Sequence, residues 1–182
     1  DKAPPSKPKN PKTPQLIPNK IPKNTSILLV EDNITNKRLF SMILEQLGCI
    51  VTTATTGIKA LDLYNRHSFD AVLMDCNLPD LDGYECTKLM RKTQKQNKAT
   101  TPIIALTGNA MKEDQKKCKA AGMDDFLAKP TTPHKLQNCL AKWVISHKKR
   151  PIKRKKASKM KETPTDKTAL DKTIFKNFID IV

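Results

Sequence analysis

The segment from residue 71 to residue 79, Ala-Val-Leu-Met-Asp-Cys-Asn-Leu-Pro, constrains the fold more than any other part of the chain. Its apolar run is typical of a strand that is buried on both faces, as in a parallel sheet covered by helices. Asp75 ends the run, directly before the turn-forming residues Asn77 and Pro79. A carboxylate in this position lies where open α/β sheets bind ligands, although Asp75 alone fits a turn residue or a helix cap equally well.

Strand and helix patterns alternate five times between residues 24 and 146. The predicted strands cover 27–30, 50–54, 70–75, 102–107 and 125–129. The predicted helices are one that Asn33 or Thr35 caps and that runs to Leu47, followed by 57–66, 84–93, 111–121 and 133–145. Five βα repeats predict a doubly wound α/β domain with a five-stranded parallel sheet. The flavodoxin-like order 2-1-3-4-5 is the economical choice for such a sheet.

The first predicted helix carries an apolar stripe. Helical spacing places Leu39, Ile43, Leu44 and Leu47 on one face, and we expect this face to pack on the sheet.

The net charge of +16 is concentrated at the two ends of the chain. Residues 1–23 are rich in Pro and Lys, and we expect a disordered linker there. Residues 147–168 form a second, strongly basic linker. Basic linkers can attract anionic partners or merely tether domains, and we expect neither specific nucleic-acid binding nor membrane contact from this segment.

Two further features of the composition bear on the cellular compartment. The five cysteines are scattered, without C-x-x-C pairs, which is typical of reduced thiols in the cytoplasm. The chain has no run of 18 apolar residues, so the sequence predicts no transmembrane helix.

Polar or charged side chains lie at the carboxyl ends of four of the five predicted strands. These are Glu31 and Asp32 directly after the first strand, Asp75 at the end of the third, Thr107 at the end of the fourth and Lys129 at the end of the fifth. Because the carboxyl ends of parallel strands meet at one edge of a sheet, we expect these groups to surround one crevice. Each residue alone has a simpler explanation as a cap or turn residue, and the coincidence of four strands carries the argument.

Three neighbouring carboxylates need a compensating cation. A donor set of oxygen atoms, without His or thiolate, favours Mg²⁺. We expect Asp32 and Asp75 to be direct ligands, with the Asn77 backbone carbonyl as a third ligand and Glu31 acting through water. Asp75 could then attack phosphorus and form an acyl phosphate, with Lys129 and Thr107 stabilising the phosphoryl oxygens. 

Four motifs make the sequence closely resemble the receiver domain of two-component response regulators. They are Leu-Leu-Val-Glu-Asp-Asn at 28–33, Leu-Met-Asp-Cys-Asn-Leu-Pro-Asp-Leu-Asp-Gly at 73–83, Ile-Ile-Ala-Leu-Thr-Gly-Asn-Ala at 103–110 and Phe-Leu-Ala-Lys-Pro at 126–130. The resemblance covers roughly residues 26–145. It implies that a phosphohistidine phosphorylates Asp75, that Glu31, Asp32 and the Asn77 carbonyl bind Mg²⁺, and that the peptide between Lys129 and Pro130 is cis. 

The resemblance also implies a conformational switch. Phosphorylation would draw Thr107 inward and let Phe126 rotate into the vacated space, which reshapes the face formed by the fourth helix, fifth strand and fifth helix. The partners implied are a histidine kinase domain and a histidine phosphotransfer domain.

The residues in these motifs are most similar to those of receivers in hybrid sensor histidine kinases. Because the chain opens at Asp1 and has a linker on each side, we expect an internal cytoplasmic segment of a kinase anchored in the inner membrane. Residues 169–182 resemble the first helix of a histidine phosphotransfer domain, although a detached amphipathic helix or a dimer contact would look the same. None of the three histidines has the context of a phosphotransfer histidine, so the donor must lie elsewhere.

Three other functions remain open at this point. A free-standing response regulator with a DNA-binding output would need more than the 35 residues after 147. An aspartyl-phosphate phosphatase or hydrolase usually needs an acid two residues after the nucleophile, where this chain has Asn77. A docking module without phosphoryl chemistry would not need the complete set of strand-end residues.

Overall fold

The computed structural model describes residues 20–97, 100–108 and 111–148. The predicted helix at 169–182, the basic linker from residue 149 onward and the linker residues 1–19 lie outside the described residues.

Five parallel strands form a single sheet in the order β2-β1-β3-β4-β5, which confirms the predicted fold. The strands are β1 (Thr25–Val30), β2 (Cys49–Ala54), β3 (Ala71–Asp75), β4 (Ile103–Thr107) and β5 (Asp125–Ala128). The helices are α1 (Ile34–Gln46), α2 (Gly57–Arg66), α3 (Gly83–Asn97), α4 (Lys112–Ala121) and α5 (Pro133–Lys148). Helix α3 extends four residues beyond the predicted end at residue 93.

The sheet has a core on each face, which explains why its central strands are apolar throughout. On one face Ile27 and Leu29 pack with α1 and α5, and on the other Leu28 and Val30 pack with α2, α3 and α4. Burial of each such side chain contributes about 1.5–3 kcal/mol. The two cores hold the strands rigidly and thereby fix the residues that follow their carboxyl ends.

The predicted core face of α1 is wrong at Leu39, whose side chain is 51% exposed. Phe40 is buried in its place, together with Ile43 and Leu44. Phe40, Ile43 and Leu44 are spaced at three and four residues and define the buried face, and Leu39 lies about 100° around the helix from Phe40, on the side away from Leu44. The larger aromatic ring of Phe40 occupies the core, and Leu47 is partly buried at its edge.

The core also reaches into the segment that the sequence assigns to the first linker, residues 1–23. Ile21 is 3% exposed and packs in the cluster that contains α1 and α5. Two hydrogen bonds fix the chain just after it: Asn24 N–H donates to Gly48 O at 2.8 Å, and Thr25 Oγ1 donates to Pro22 O at 2.6 Å. The ordered domain therefore includes residues upstream of β1. 

Among the helices that the structure describes, none combines the length and the apolar character that crossing a bilayer requires.

Candidate functional site

Three carboxylates meet at the carboxyl edge of the sheet, as the sequence predicts. Glu31 and Asp32 follow β1, and Asp75 ends the neighbouring strand β3. One carboxylate oxygen from each of the three lies within 4.8 Å of the others. Glu31 and Asp75 are buried, at 1% and 3% exposure, whereas Asp32 faces solvent. The cluster therefore has a buried floor and an open mouth at Asp32.

Lys129 brings an ammonium group to the buried pair. Its Nζ donates to Glu31 Oε2 at 2.6 Å and to Asp75 Oδ2 at 2.7 Å. The residue directly follows β5, and its backbone N–H donates to Thr107 O at 2.7 Å. The peptide between Lys129 and Pro130 is cis. The end of β5 is thus joined both to β4 and to the carboxylates on the far side of β4.

The electrostatics of the cluster follow from its burial and its charge balance. Burial raises the pKa of Glu31, and the charge of Asp75 adds to this, so hydrogen bonds from Lys129 and Asn36 offset the rise only in part. Burial alone would lower the pKa of Lys129, but its hydrogen bonds to Asp75 and Glu31 outweigh that effect and raise it. One ammonium thus serves two carboxylates and keeps its proton.

The charge balance and the donor atoms fit Mg²⁺. Three carboxylates and one ammonium leave a formal charge of −2 in the ionised cluster. The candidate ligand atoms are all oxygens, which suit a hard divalent cation. Glu31, Asp32 and Asp75 could hold such an ion.

The loop after β3 is fixed by contacts that the sequence does not reveal. Asn77 N–H donates to Asp75 Oδ1 at 3.1 Å, and the Asn77 side chain is exposed. Asp80 accepts from the N–H groups of Gly57 at 2.9 Å and Ile58 at 3.0 Å, so it caps α2. A Cβ on Gly83 would lie 2.1 Å from Asp75 O. The absence of a side chain at Gly83 therefore lets α3 begin against the backbone of Asp75.

Thr107 and Phe126 lie on the two strands beside this cluster. Thr107 ends β4 and is 5% exposed. Phe126 lies opposite Ala105 in the β4–β5 register and is partly buried against the core on the α2, α3 and α4 face. Phe126 therefore lies on the same edge strand that leads into Lys129, at the border between core and surface.

Sequence reasoning missed two features near the site. Asn36 Nδ2 donates to Glu31 Oε1 at 3.1 Å, a contact that the Asn-x-x-Asn spacing at the start of α1 could have suggested. The exposed surface of α1 carries Ile34, Leu39 and Met42, which are 67%, 51% and 57% exposed. We call these three side chains the α1 apolar patch. The patch faces solvent because Phe40, Ile43 and Leu44 occupy the face of α1 that packs on the sheet.

Comparison with known families and sequences gives consistent matches. Residues 27–141 match the family described as the response regulator receiver domain. Hybrid signal transduction histidine kinase B of Dictyostelium discoideum is 40% identical over an alignment of 113 positions, which covers 57% of this chain and 6% of that protein. Sensor protein GacS of Pseudomonas syringae pv. syringae is 35% identical over 119 residues, which cover 65% of this chain and 13% of that protein. The chain therefore spans a small part of these relatives.

Solved structures agree with the fold. The receiver domain of sensor histidine kinase PA1611 from Pseudomonas aeruginosa PAO1, which has a magnesium ion coordinated in its active site cleft, is 43% identical. That alignment covers 66% of this chain and 98% of the other, with a TM-score of 0.61. The receiver domain of Ssk1 in complex with the histidine phosphotransfer protein Ypd1, from Saccharomyces cerevisiae, is 28% identical with a TM-score of 0.66. It covers 69% of this chain and 92% of the other.

Proposed function

This chain belongs to the response regulator receiver domain family, and from that premise we propose that it serves phosphorelay signalling by accepting a phosphoryl group on Asp75 from a phosphohistidine. The observation that carries the proposal is the convergence of Glu31, Asp32, Asp75 and Lys129 in one cleft at the ends of three strands. A nucleophilic carboxylate, a site for a hard cation and a fixed ammonium are the groups that phosphoryl transfer requires.

The transfer step uses a carboxylate oxygen of Asp75 as the nucleophile. The oxygen attacks phosphorus, the P–N bond of the donor breaks, and its electron pair stays on the imidazole nitrogen. Mg²⁺, held by Glu31, Asp32, Asp75 and the Asn77 backbone carbonyl, would neutralise charge on the phosphoryl oxygens. 

Lys129 and Thr107 stabilise the phosphorylated state in this proposal. Lys129 already donates to Asp75 Oδ2, so its ammonium is positioned to donate to a phosphoryl oxygen on the same residue. Thr107 would move toward the phosphoryl group, and Phe126 would turn inward, changing the face of α4, β5 and α5.

We assign the α1 apolar patch to the phosphodonor, a helical histidine phosphotransfer domain or the equivalent domain of a kinase. Ile34 lies two residues after Asp32, and Leu39 and Met42 follow on the same helix, so all three exposed apolar side chains lie on the helix that begins beside the acidic cleft. Exposed apolar side chains beside a reactive cleft are typical of protein interfaces. A donor on this surface could present its histidine to Asp75.

We also propose where this domain lies within its parent protein. The receiver would occupy residues 21–148 of a hybrid sensor histidine kinase, between the Pro- and Lys-rich linker that precedes it and the basic linker that follows it, with a phosphotransfer domain beginning at 169–182. Its cysteines, which are free thiols, support placement in the cytoplasm. The parent kinase would be anchored in the inner membrane by other segments.

Intact mass spectrometry after incubation with acetyl phosphate and Mg²⁺ tests the central step. We expect one added phosphoryl group, removed by hydroxylamine and absent from Asp75→Asn. Asp62→Asn is a matched control, since Asp62 lies on α2 in a surface ion pair with Arg66. Phosphorylation of Asp75→Asn at the wild-type level would show that another residue is the acceptor.

The docking surface has its own test. With phosphorylated Ypd1 as the donor, we expect Leu39→Glu or Met42→Glu to slow transfer about tenfold or more. Labelling by acetyl phosphate should be unchanged, because the small donor needs no docking surface. Ile50→Glu is the control, since Ile50 is 55% exposed but lies on β2. Equal effects of all three substitutions would contradict the assignment.

A further inference from the structure

The carboxylate of Glu31 is held at both of its oxygens. Asn36 Nδ2 donates to Oε1 at 3.1 Å, and Lys129 Nζ donates to Oε2 at 2.6 Å. Glu31 is 1% exposed, so water cannot easily replace either donor. Removal of one partner would therefore leave a buried carboxylate oxygen without its hydrogen bond.

Asn36 is itself fixed by the start of α1. Asn33 Oδ1 accepts from Thr35 N–H at 3.0 Å and from Asn36 N–H at 3.1 Å, which caps the helix. Asn36 follows three residues later and is partly buried, whereas Thr35 faces solvent. The cap sets the direction of the first turn and thereby places the Asn36 amide against Glu31.

We infer that Asn36 is a positioning residue of the cation site: its amide fixes the rotation of the Glu31 carboxylate, so that the remaining oxygen lone pairs face the ion that Asp32 and Asp75 share. The inference rests on the proposed function, in which Glu31 takes part in Mg²⁺ binding. Lys129 alone cannot fix the carboxylate plane, because one hydrogen bond leaves rotation about it free. A group that orients a metal ligand in this way typically contributes 10- to 100-fold to metal affinity.

Isothermal titration of the full chain with Mg²⁺ tests the inference. We expect Asn36→Ala to bind Mg²⁺ about tenfold more weakly than the wild type. Thr35→Ala, on the same turn but exposed, should stay within about twofold, since surface substitutions rarely perturb a site. Urea unfolding in EDTA shows whether Asn36→Ala retains its fold.

A second readout separates positioning from general damage to the site. The rate of phosphorylation by acetyl phosphate should fall in Asn36→Ala at limiting Mg²⁺ and recover at saturating Mg²⁺. Equal Mg²⁺ affinity in Asn36→Ala and the wild type would overturn the inference and leave the proposed function intact. A rate that stays low at saturating Mg²⁺ would also overturn it. Failure of the wild type to bind Mg²⁺ would overturn both.

Discussion

Replacing Lys129 with methionine removes the ammonium that two buried carboxylates share. Lys129 Nζ lies 2.6 Å from Glu31 Oε2 and 2.7 Å from Asp75 Oδ2, and those side chains are 1% and 5% exposed. Removing one partner of a buried ion pair costs about 3–5 kcal/mol. Glu31, whose pKa burial already raises, can take up a proton and relieve part of the repulsion. We therefore expect a loss of about 2–4 kcal/mol in the free energy of unfolding without metal.

Urea unfolding, followed by circular dichroism in EDTA and in saturating Mg²⁺, measures this loss. The loss should be smaller in Mg²⁺, because a cation bound only to the folded state stabilises it and replaces the missing charge. Lys135→Met is the control, since Lys135 is exposed on α5, and it should change stability by less than about 0.5 kcal/mol. A loss in EDTA no larger than that of the control would refute the reasoning that the buried carboxylates depend on Lys129.

Three further perturbations test the surroundings of the site. Gly83→Ala should lower the thermal unfolding temperature strongly or prevent folding, because its Cβ would lie 2.1 Å from the backbone carbonyl oxygen of Asp75. Gly108→Ala should not, because among the described residues, its chain neighbours aside, no atom lies within 4 Å of its Cβ. Asp80→Ala should cost about 1 kcal/mol near pH 7, because the Gly57 and Ile58 N–H groups at the start of α2 lose their acceptor while Thr56 still caps Lys59. Burial tends to raise the pKa of Asp80, but hydrogen bonds from backbone N–H groups lower it overall. The difference in unfolding free energy between the wild type and Asp80→Ala should therefore persist above about pH 4 and vanish as acid protonates the carboxylate. A difference that stays constant at low pH would contradict this expectation. Asp125→Ala removes the acceptor of the Trp143 Nε1 hydrogen bond at 2.7 Å, so the fluorescence of this single tryptophan should shift, and an unchanged spectrum would argue against the contact.

The sequence predicts the sheet and the convergence at its edge because both follow from general rules. Apolar runs such as 71–75 indicate strands buried on both faces, and parallel strands bring their carboxyl ends together. Glu31, Asp75 and Lys129 could thus be assigned to one cleft although Glu31 and Lys129 lie 98 positions apart in the chain. The cleft can therefore be predicted from the sequence, because its residues lie directly at strand ends.

The features that the sequence does not predict depend on side-chain competition in three dimensions. Leu39 and Phe40 are adjacent and both apolar, and only the packing of α1 on the sheet decides that Phe40 is buried. Ile21 lies among prolines and lysines, and its burial depends on a pocket formed by distant elements. The contact of Asn36 with Glu31 likewise depends on the rotation of α1 after its Asn33 cap.

The hydrogen bonds of Lys129 connect the chemistry at Asp75 to β5, the outer strand of the sheet. Its side chain donates to Asp75 and its backbone N–H donates to Thr107 O, so one residue joins the β3 terminus to the β4–β5 pair. When Asp75 becomes an acyl phosphate, as we propose, it carries a bulkier group and new acceptor oxygens, and the ammonium must exchange its carboxylate partner for one of them. The Lys129 backbone is bonded to Thr107 O and follows the strand that carries Phe126, so a shift of the ammonium that also moves this backbone would act on both proposed switch residues. The contacts that hold the unphosphorylated site together are therefore the contacts that phosphorylation must change.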